Sequence, residues 1–441
     1  MKKYDEILIG SGPAAYKMSN LLAKTTHQVL VIEGFEFGGT CPNYGCEPKI
    51  FLEGAARTVL QSQQLLGKGI SQPAKLDWQT LMQTKLERFN SWPDETRAII
   101  KKSHDVEAGY AHFIDDKTVS VNGRQYQADH IIIATGQTPN ILDIPGKEYL
   151  HTNYDLLSLK ELPARVAVIG AGFVGLELAT LVAAAGADVT MIVHSDRVLR
   201  GFTRGEDKAL VDAMQKRGIK FVFNANTQKI SQCKKELTVT TDQGDIKTDY
   251  ILNAIGRHPN IEKLALDNTN IKYDRHGIKV DDHMMTSVEG VYAIGDVVSR
   301  KQPKLTPVAE FEGQYLFNYL TGKTTQQIAY PTIGQAAFTF PEVAKAGVNP
   351  DDVANDPQYR VKRIPLKYGS LYAGQNDQIS TLTLVFKDQQ LVGASEIGDY
   401  AADDINNFIP IIGLQIDSNE YRQKVMAIYP TLGDKVAGAL L

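Results

Sequence analysis

Two cysteines, Cys41 and Cys46, stand five residues apart in the stretch GGTCPNYGCEPK at residues 38–49, and the 441-residue chain holds only one other. Thiols at this spacing can sit as small apolar groups, ligate a metal, staple a loop or exchange electrons. No second Cys or His pair stands nearby at ligand spacing, which counts against a metal. A staple adds little to a long chain with ample core. A redox-active dithiol is favoured over both. An ideal helix would hold the two Cα atoms roughly 8–9 Å apart and about 140° around its axis. A disulfide needs them within about 7 Å. If the thiols pair, the segment is therefore a distorted first turn, and Gly45 allows the bend.

The rest of the composition narrows the class. With 43% hydrophobic and 22% charged residues, the chain reads as ordinary globular protein, with length for about two to four domains. A net charge of −4 points to no nucleic acid and no membrane surface. The opening MKKYDEILIG has acids before a short apolar run, unlike a signal peptide. The longest apolar stretch, residues 166–187, is glycine-rich and broken by Glu177, which argues against a membrane span. Few cysteines without framework spacing suit a reducing, cytoplasmic setting. Cys233, in KISQCKKE, reads as a surface or strand-end thiol.

Two elements that bind dinucleotides flank the chemistry. Residues 4–9 form an apolar strand that stops at Gly10-Ser-Gly12-Pro-Ala-Ala15, and a second strand at 28–32 ends in Glu33. Gly10 makes the turn, Gly12 lets backbone approach a pyrophosphate, small Ala15 packs helix on strand, and Glu33 can accept from a ribose hydroxyl. The pattern begins again at residues 166–169, followed by Gly170-Ala-Gly172-Phe-Val-Gly175 and a partner strand at 189–193. The turn at Ala134-Thr-Gly136 is echoed by Ala254-Ile-Gly256. Such internal repetition indicates two nucleotide sites. Glu33 would repel a 2′-phosphate. The second site has Val193 at the equivalent point, then His194, Arg197 and Arg200, which suits NADPH over NADH.

The cysteine stretch resembles the redox-disulfide signature of the pyridine nucleotide–disulfide oxidoreductases, which include glutathione, mercuric and lipoamide-linked reductases, and the similarity runs almost to Leu441. The resemblance implies an α/β fold: two Rossmann-like dinucleotide-binding domains and an α+β C-terminal dimerisation domain. The implied boundaries are 1–148 and 259–326 for the two parts of an FAD-binding domain, 149–258 for an NAD(P)H-binding domain and 327–441 for the interface. It places FAD at the first fingerprint, with Gly39, Thr40, Ala111 and Gly136 among its contacts. Asp296, in YAIGD at 292–296, would hold the ribityl chain. Thr306, in LTPVA at 305–309, reads as the N-cap of a helix aimed at the flavin, with Pro307 at its first position. Gly256 closes the second nucleotide domain, and Phe173 stands where relatives keep an aromatic gate over the nicotinamide.

By the same resemblance, electrons pass from NADPH to FAD to a Cys41–Cys46 disulfide and on to a small-molecule disulfide or related oxidant. Cys46 would face the flavin as thiolate and Cys41 attack substrate, aided by a helix N-terminus. Lys49 and Glu177 match a charged pair beside the flavin. A homodimer is implied. The chain departs from the family at its end, where relatives read HPTxxE and this tail reads Tyr429-Pro-Thr-Leu-Gly-Asp434. All nine histidines lie at or before His283, so no shift of register restores the missing one. A tyrosine, with an ordinary pKa near 10, is a poor base at neutral pH. Positions where glutathione reductases keep arginines hold Asn20 and Gln314, predicting weak glutathione disulfide turnover. Two other readings follow: direct flavin reduction of oxygen, a quinone or a metal ion, and a low-turnover redox-sensing flavoprotein.

Overall fold

Apolar runs in the first third of the chain build a sheet whose middle is buried on both faces. The computed structural model describes residues 2–440. Its chain divides between two compact units, the first holding residues up to Phe51, Gln83–Asn140 and Gly256–Ala329. In that unit seven strands associate in the order Asp105–Ala108, Val29–Glu33, Lys2–Ile9, Arg124–Ile133, Thr118–Val121, His112–Asp115, with Val291–Ala293 also paired to Arg124–Ile133. The central pairings are parallel, Ile7 lying opposite both Leu30 and Ile131, and Ile131 opposite Val291. Continuous Val/Ile/Leu runs belong in such strands, and Ile7, Leu8 and Ile131 to Ile133 are fully buried.

The second unit holds Leu52–Met82, Ile141–Ile255 and the chain from Tyr330. It contains a parallel sheet in the order Lys220–Val222, Asp188–Ile192, Arg165–Ile169, Tyr250–Asn253, and a three-stranded antiparallel sheet over Thr227–Cys233, Glu236–Thr241 and Gly244–Thr248. A five-stranded antiparallel sheet follows, ordered Gly334–Ala337, Glu342–Gly347, Gln390–Gly398, Thr381–Lys387, Tyr359–Pro365. Its core joins Leu382, Leu384 and Phe386 to Ile405, Phe408, Ile411 and Val436 from the helices that cover it. The α/β class expected from the sequence is what the chain forms, a parallel-strand architecture with an antiparallel C-terminal sheet.

The glycine echo has a structural cause. Gly10 and Gly170 hold φ of +110° and +103°, and a Cβ on either would lie 2.4 Å from a carbonyl oxygen, Ala134 O or Ala254 O. Only glycine fits where the strand turns into its helix against the neighbouring strand's end. Two pairs of helices follow one another closely along the chain, Trp78–Phe89 with Trp92–Lys101 and Ala401–Asn406 with Ile409–Gly413. In each case a proline occupies the first turn of the second helix, where its missing N–H costs nothing. Among the described residues, no helix is long and apolar enough to cross a membrane.

Candidate active site

The two cysteines sit on consecutive helices rather than one. Thr40–Tyr44 ends at Gly45, and Cys46–Gln64 begins on the next residue. A Cβ on Gly45 would lie 3.0 Å from Thr40 O and 3.2 Å from Cys41 Cα, so the glycine lets the chain fold back over Cys41. That is the bend the spacing required. Both cysteines are free thiols here, near enough to hydrogen-bond. The proton rests on Cys41. Its thiol donates to Cys46 and pulls the Cys46 pKa down to about 6, with help from the Thr306 hydroxyl and the Lys49 charge. Cys41 moves the other way, held protonated by that bond and by burial. A first helical position favours a thiolate too.

Thr306 is not the N-cap expected of it. Leu305 takes that place, Thr306 is the first residue of the helix Thr306–Leu320, and its Oγ1 lies 3.6 Å from Cys46 Sγ. The hydroxyl serves the thiol instead of the backbone. Around it, Asp296 keeps a buried Oδ1 with no hydrogen-bond partner among the described residues, and burial raises its pKa. A buried carboxylate oxygen left without a donor needs one from outside the chain, and the hydroxyls of a ribityl chain are suitable donors.

At the glycine turn, Glu33 Oε2 accepts from Ser11 N–H at 2.9 Å and from Ser11 Oγ at 2.6 Å, while Oε1 accepts from Phe35 N–H at 2.9 Å. Gly34 N–H also reaches this carboxylate, which offers about four lone pairs in all, so a ribose hydroxyl would take a place now held by one of these donors. Beyond Glu33, the ring of half-exposed Tyr110 covers Gly34, next to buried Ala111. Ala15 is buried in the helix after Gly12, Gly39 is the N-cap of the Thr40 helix, and Gly136 and Gly256 both turn with positive φ. The residues of this unit fit FAD. Arg257, missed from sequence although it follows Gly256, reaches Thr40 Oγ1 at 3.3 Å and the Gln137 carbonyl.

The second unit assembles its own nucleotide turn. Gly172 is the N-cap of Phe173–Ala184, open space lies over its Cα, Gly175 packs on Gly170 O, and Phe173 is 47% exposed. Val193 is buried, one residue beyond its strand, with His194 and Arg200 exposed. Arg197 is drawn inward: Nε pairs with Asp207 at 2.8 Å and Nη2 donates to Phe202 O. It is not free to meet a 2′-phosphate as placed. Glu177, buried on the same helix, accepts from Phe338 N–H at 2.8 Å.

In the C-terminal tail, Tyr429 is 79% exposed beside exposed Met426 and Ile428. Asp434 closes a capping box, accepting from Thr431 N–H at 2.9 Å at the start of Leu432–Ala439. Its carboxylate is thereby committed to the backbone. The T-x-x-D pattern was legible as this signature. Asn20 is exposed, and Gln314 donates to Asn318 Oδ1. Cys233 is exposed at the end of its strand. Among the described residues, no group of three or more His, Cys, Asp or Glu side chains could hold a metal ion.

Residues 4–313 match the family described as pyridine nucleotide-disulphide oxidoreductase, and residues 333–440 match its dimerisation domain. A mercuric reductase of Staphylococcus aureus is 29% identical over 91% of this chain and 75% of its own length. A dihydrolipoyl dehydrogenase of Chlamydia muridarum is 30% identical over 90% and 88%. A glutathione reductase of Nostoc sp. is 27% identical over 98% of both. In fold, the chain resembles the HOCl-induced flavoprotein disulfide reductase RclA from Escherichia coli, with a TM-score of 0.88, 23% identity and 99% of each chain covered.

Proposed function

The chain belongs to the class I pyridine nucleotide–disulfide oxidoreductases, FAD-dependent enzymes, and from that membership we propose that it carries electrons from NADPH through FAD and its Cys41–Cys46 pair to a small-molecule disulfide or related oxidant. The observation that carries this reading is the asymmetric dithiol, with Cys46 favoured as thiolate beside Thr306 and Cys41 holding the proton. Bound FAD would supply the two-electron relay between nicotinamide and dithiol. Glu33, Ser11, Asp296 and Thr306 are the residues that would hold it.

Cys41, once its proton leaves, attacks one sulfur of the substrate disulfide, forms a mixed disulfide and expels the first thiolate. Cys46 then attacks the Cys41 sulfur, closes the internal disulfide and expels the second thiolate. Two electrons have passed to substrate, and the Cys41 proton ends on a product thiolate. No histidine of the chain lies beyond His283 to assist, and Asp434 is spent on its helix cap. Turnover therefore favours disulfides whose thiols leave readily without a proton. Tyr429, exposed in the tail, is the residue proposed to donate one where needed.

The missing histidine equally favours a second reading, direct transfer from flavin to oxygen, a quinone or a metal ion. Cys41→Ser separates the two. Loss of NADPH-dependent reduction across a disulfide and oxidant panel, with flavin still bleached by NADPH, supports the dithiol route. Full activity in the variant refutes it. Slow turnover of every oxidant tried would favour the redox-sensing reading instead.

NADPH preference rests on His194 and Arg200 and on the lack of an acid at Val193, since Arg197 is engaged with Asp207. Lys49, which favours the Cys46 thiolate, and Glu177 remain the charged residues proposed beside the flavin. A homodimer through the dimerisation domain is proposed with them.

A further inference from the structure

Three cations gather on and around the loop between Asp296 and the Thr306 helix, and their partners differ. Arg300 pairs with fully buried Glu312, whose Oε2 also accepts from Gly295 N–H at 2.7 Å. Arg257 donates to the Gln137 carbonyl and to Thr40 Oγ1. Lys304 is half-buried, and its Nζ donates to the Val298 carbonyl oxygen. Among the described residues it has no carboxylate at ion-pair distance; Asp296 acts on it only from farther away.

An ammonium carries three donors, and the protein visibly occupies one of them with a neutral acceptor. Burial, with Arg300 near, depresses its pKa to about 8, so it is still mostly charged at neutral pH. A cation kept partly dry and without a close ion-pair partner is costly. Its place on the loop is informative. Asp296 with its orphaned oxygen lies before it, and Thr306, in contact with Cys46 Sγ, lies two residues after it. A flavin that exchanges electrons with Cys46 must bring its ring to this same corner. A hydride carries two electrons and one proton, so its arrival leaves one negative charge on a neutral ring system.

We propose that Lys304 is the counter-charge for that electron pair: its ammonium stabilises the reduced cofactor over the oxidised one and sets the flavin midpoint potential. The inference rests on the FAD-dependent reading above. It assigns the lysine no role in holding the fold, since among the described residues its one hydrogen bond is to the Val298 carbonyl, which any donor could serve.

Lys304→Gln keeps a donor for the Val298 carbonyl and removes the charge; Lys304→Arg keeps the charge. Flavin potentials would be measured at pH 7 by equilibration with a reference dye. Lys304→Gln is expected to lower the reduced-to-oxidised ratio about tenfold at a given potential, a shift of about 30 mV downward for a two-electron couple. Lys304→Arg is expected to stay within about twofold of wild type. An unmoved Gln variant, or equal shifts in both, overturns the proposal. If the Gln protein does not retain FAD, retention by the Arg protein supports the charge role and loss in both overturns it. A colourless wild type would overturn the flavin reading itself, whereas a yellow wild type with an unmoved Gln variant overturns only the inference.

Discussion

Replacing Thr306 by Val tests the thiolate directly, because it removes one hydroxyl and nearly nothing else. Thr306 Oγ1 lies 3.6 Å from Cys46 Sγ and is one of the groups that bring that thiol down to about 6. Hydrogen bonds to charged groups contribute roughly 1.5–3 kcal/mol. The contact is long and Cys46 is exposed, so screening by water reduces this to about 1 kcal/mol. At 1.36 kcal/mol per unit, that is a rise of about 0.7 of a pKa unit. The Cys41 bond remains the larger cause, so the thiol stays more acidic than an ordinary cysteine. The assay is thiolate absorbance of the reduced protein against pH, with Cys46→Ser subtracted. Thr306→Ser should titrate with wild type and Thr306→Val about 0.7 of a unit higher. A valine variant that titrates with wild type, or a serine variant displaced as far as the valine one, refutes the assignment of the hydroxyl.

NADPH should reduce the flavin faster than NADH in stopped-flow, and Arg200→Ala should narrow that difference about tenfold or less, the scale of one exposed phosphate contact; an NADH preference in the wild type removes the basis for it. Tyr429→His should speed disulfide turnover by about tenfold or more, a part of the roughly 10²–10⁴-fold that general acid–base help supplies, and unchanged rates would show that proton delivery is not limiting. Stability should fall from mildly acid to neutral pH. Burial raises Glu206 and Glu342 to about 7 and Asp399 to about 6. A carboxyl whose folded pKa exceeds its unfolded value stabilises fully below the unfolded value and loses that contribution as pH rises through the folded one. The window is therefore about pH 4 to 7. Melting temperature against pH checks it, and Glu206→Gln, which keeps an acceptor for Ser395 Oγ, should flatten the curve.

The three buried carboxyls illustrate what sequence reading passes over. Glu206, Glu342 and Asp399 look like surface acids in a linear chain, yet each is under a tenth exposed. Glu342 meets Arg57 and Asp399 accepts from Gln64, both on the helix that starts at Cys46. Those partners come from hundreds of residues away, and no local period announces them.

What sequence alone determined is the local grammar: two strand–glycine–helix turns, a cysteine pair with a glycine to bend between them, and a tail without histidine. These are legible because strand, turn and helix are adjacent in the chain, and because Gly10 and Gly170 tolerate no Cβ against their neighbours. Tertiary structure alone decided the electrostatics. Thr306 reaches Cys46 across 260 residues, Arg197 turns to Asp207 instead of outward, and Lys304 lies half-buried with no carboxylate at ion-pair distance among the described residues. A charge's effect depends on what surrounds it and how dry that place is, and only packing of distant segments sets either.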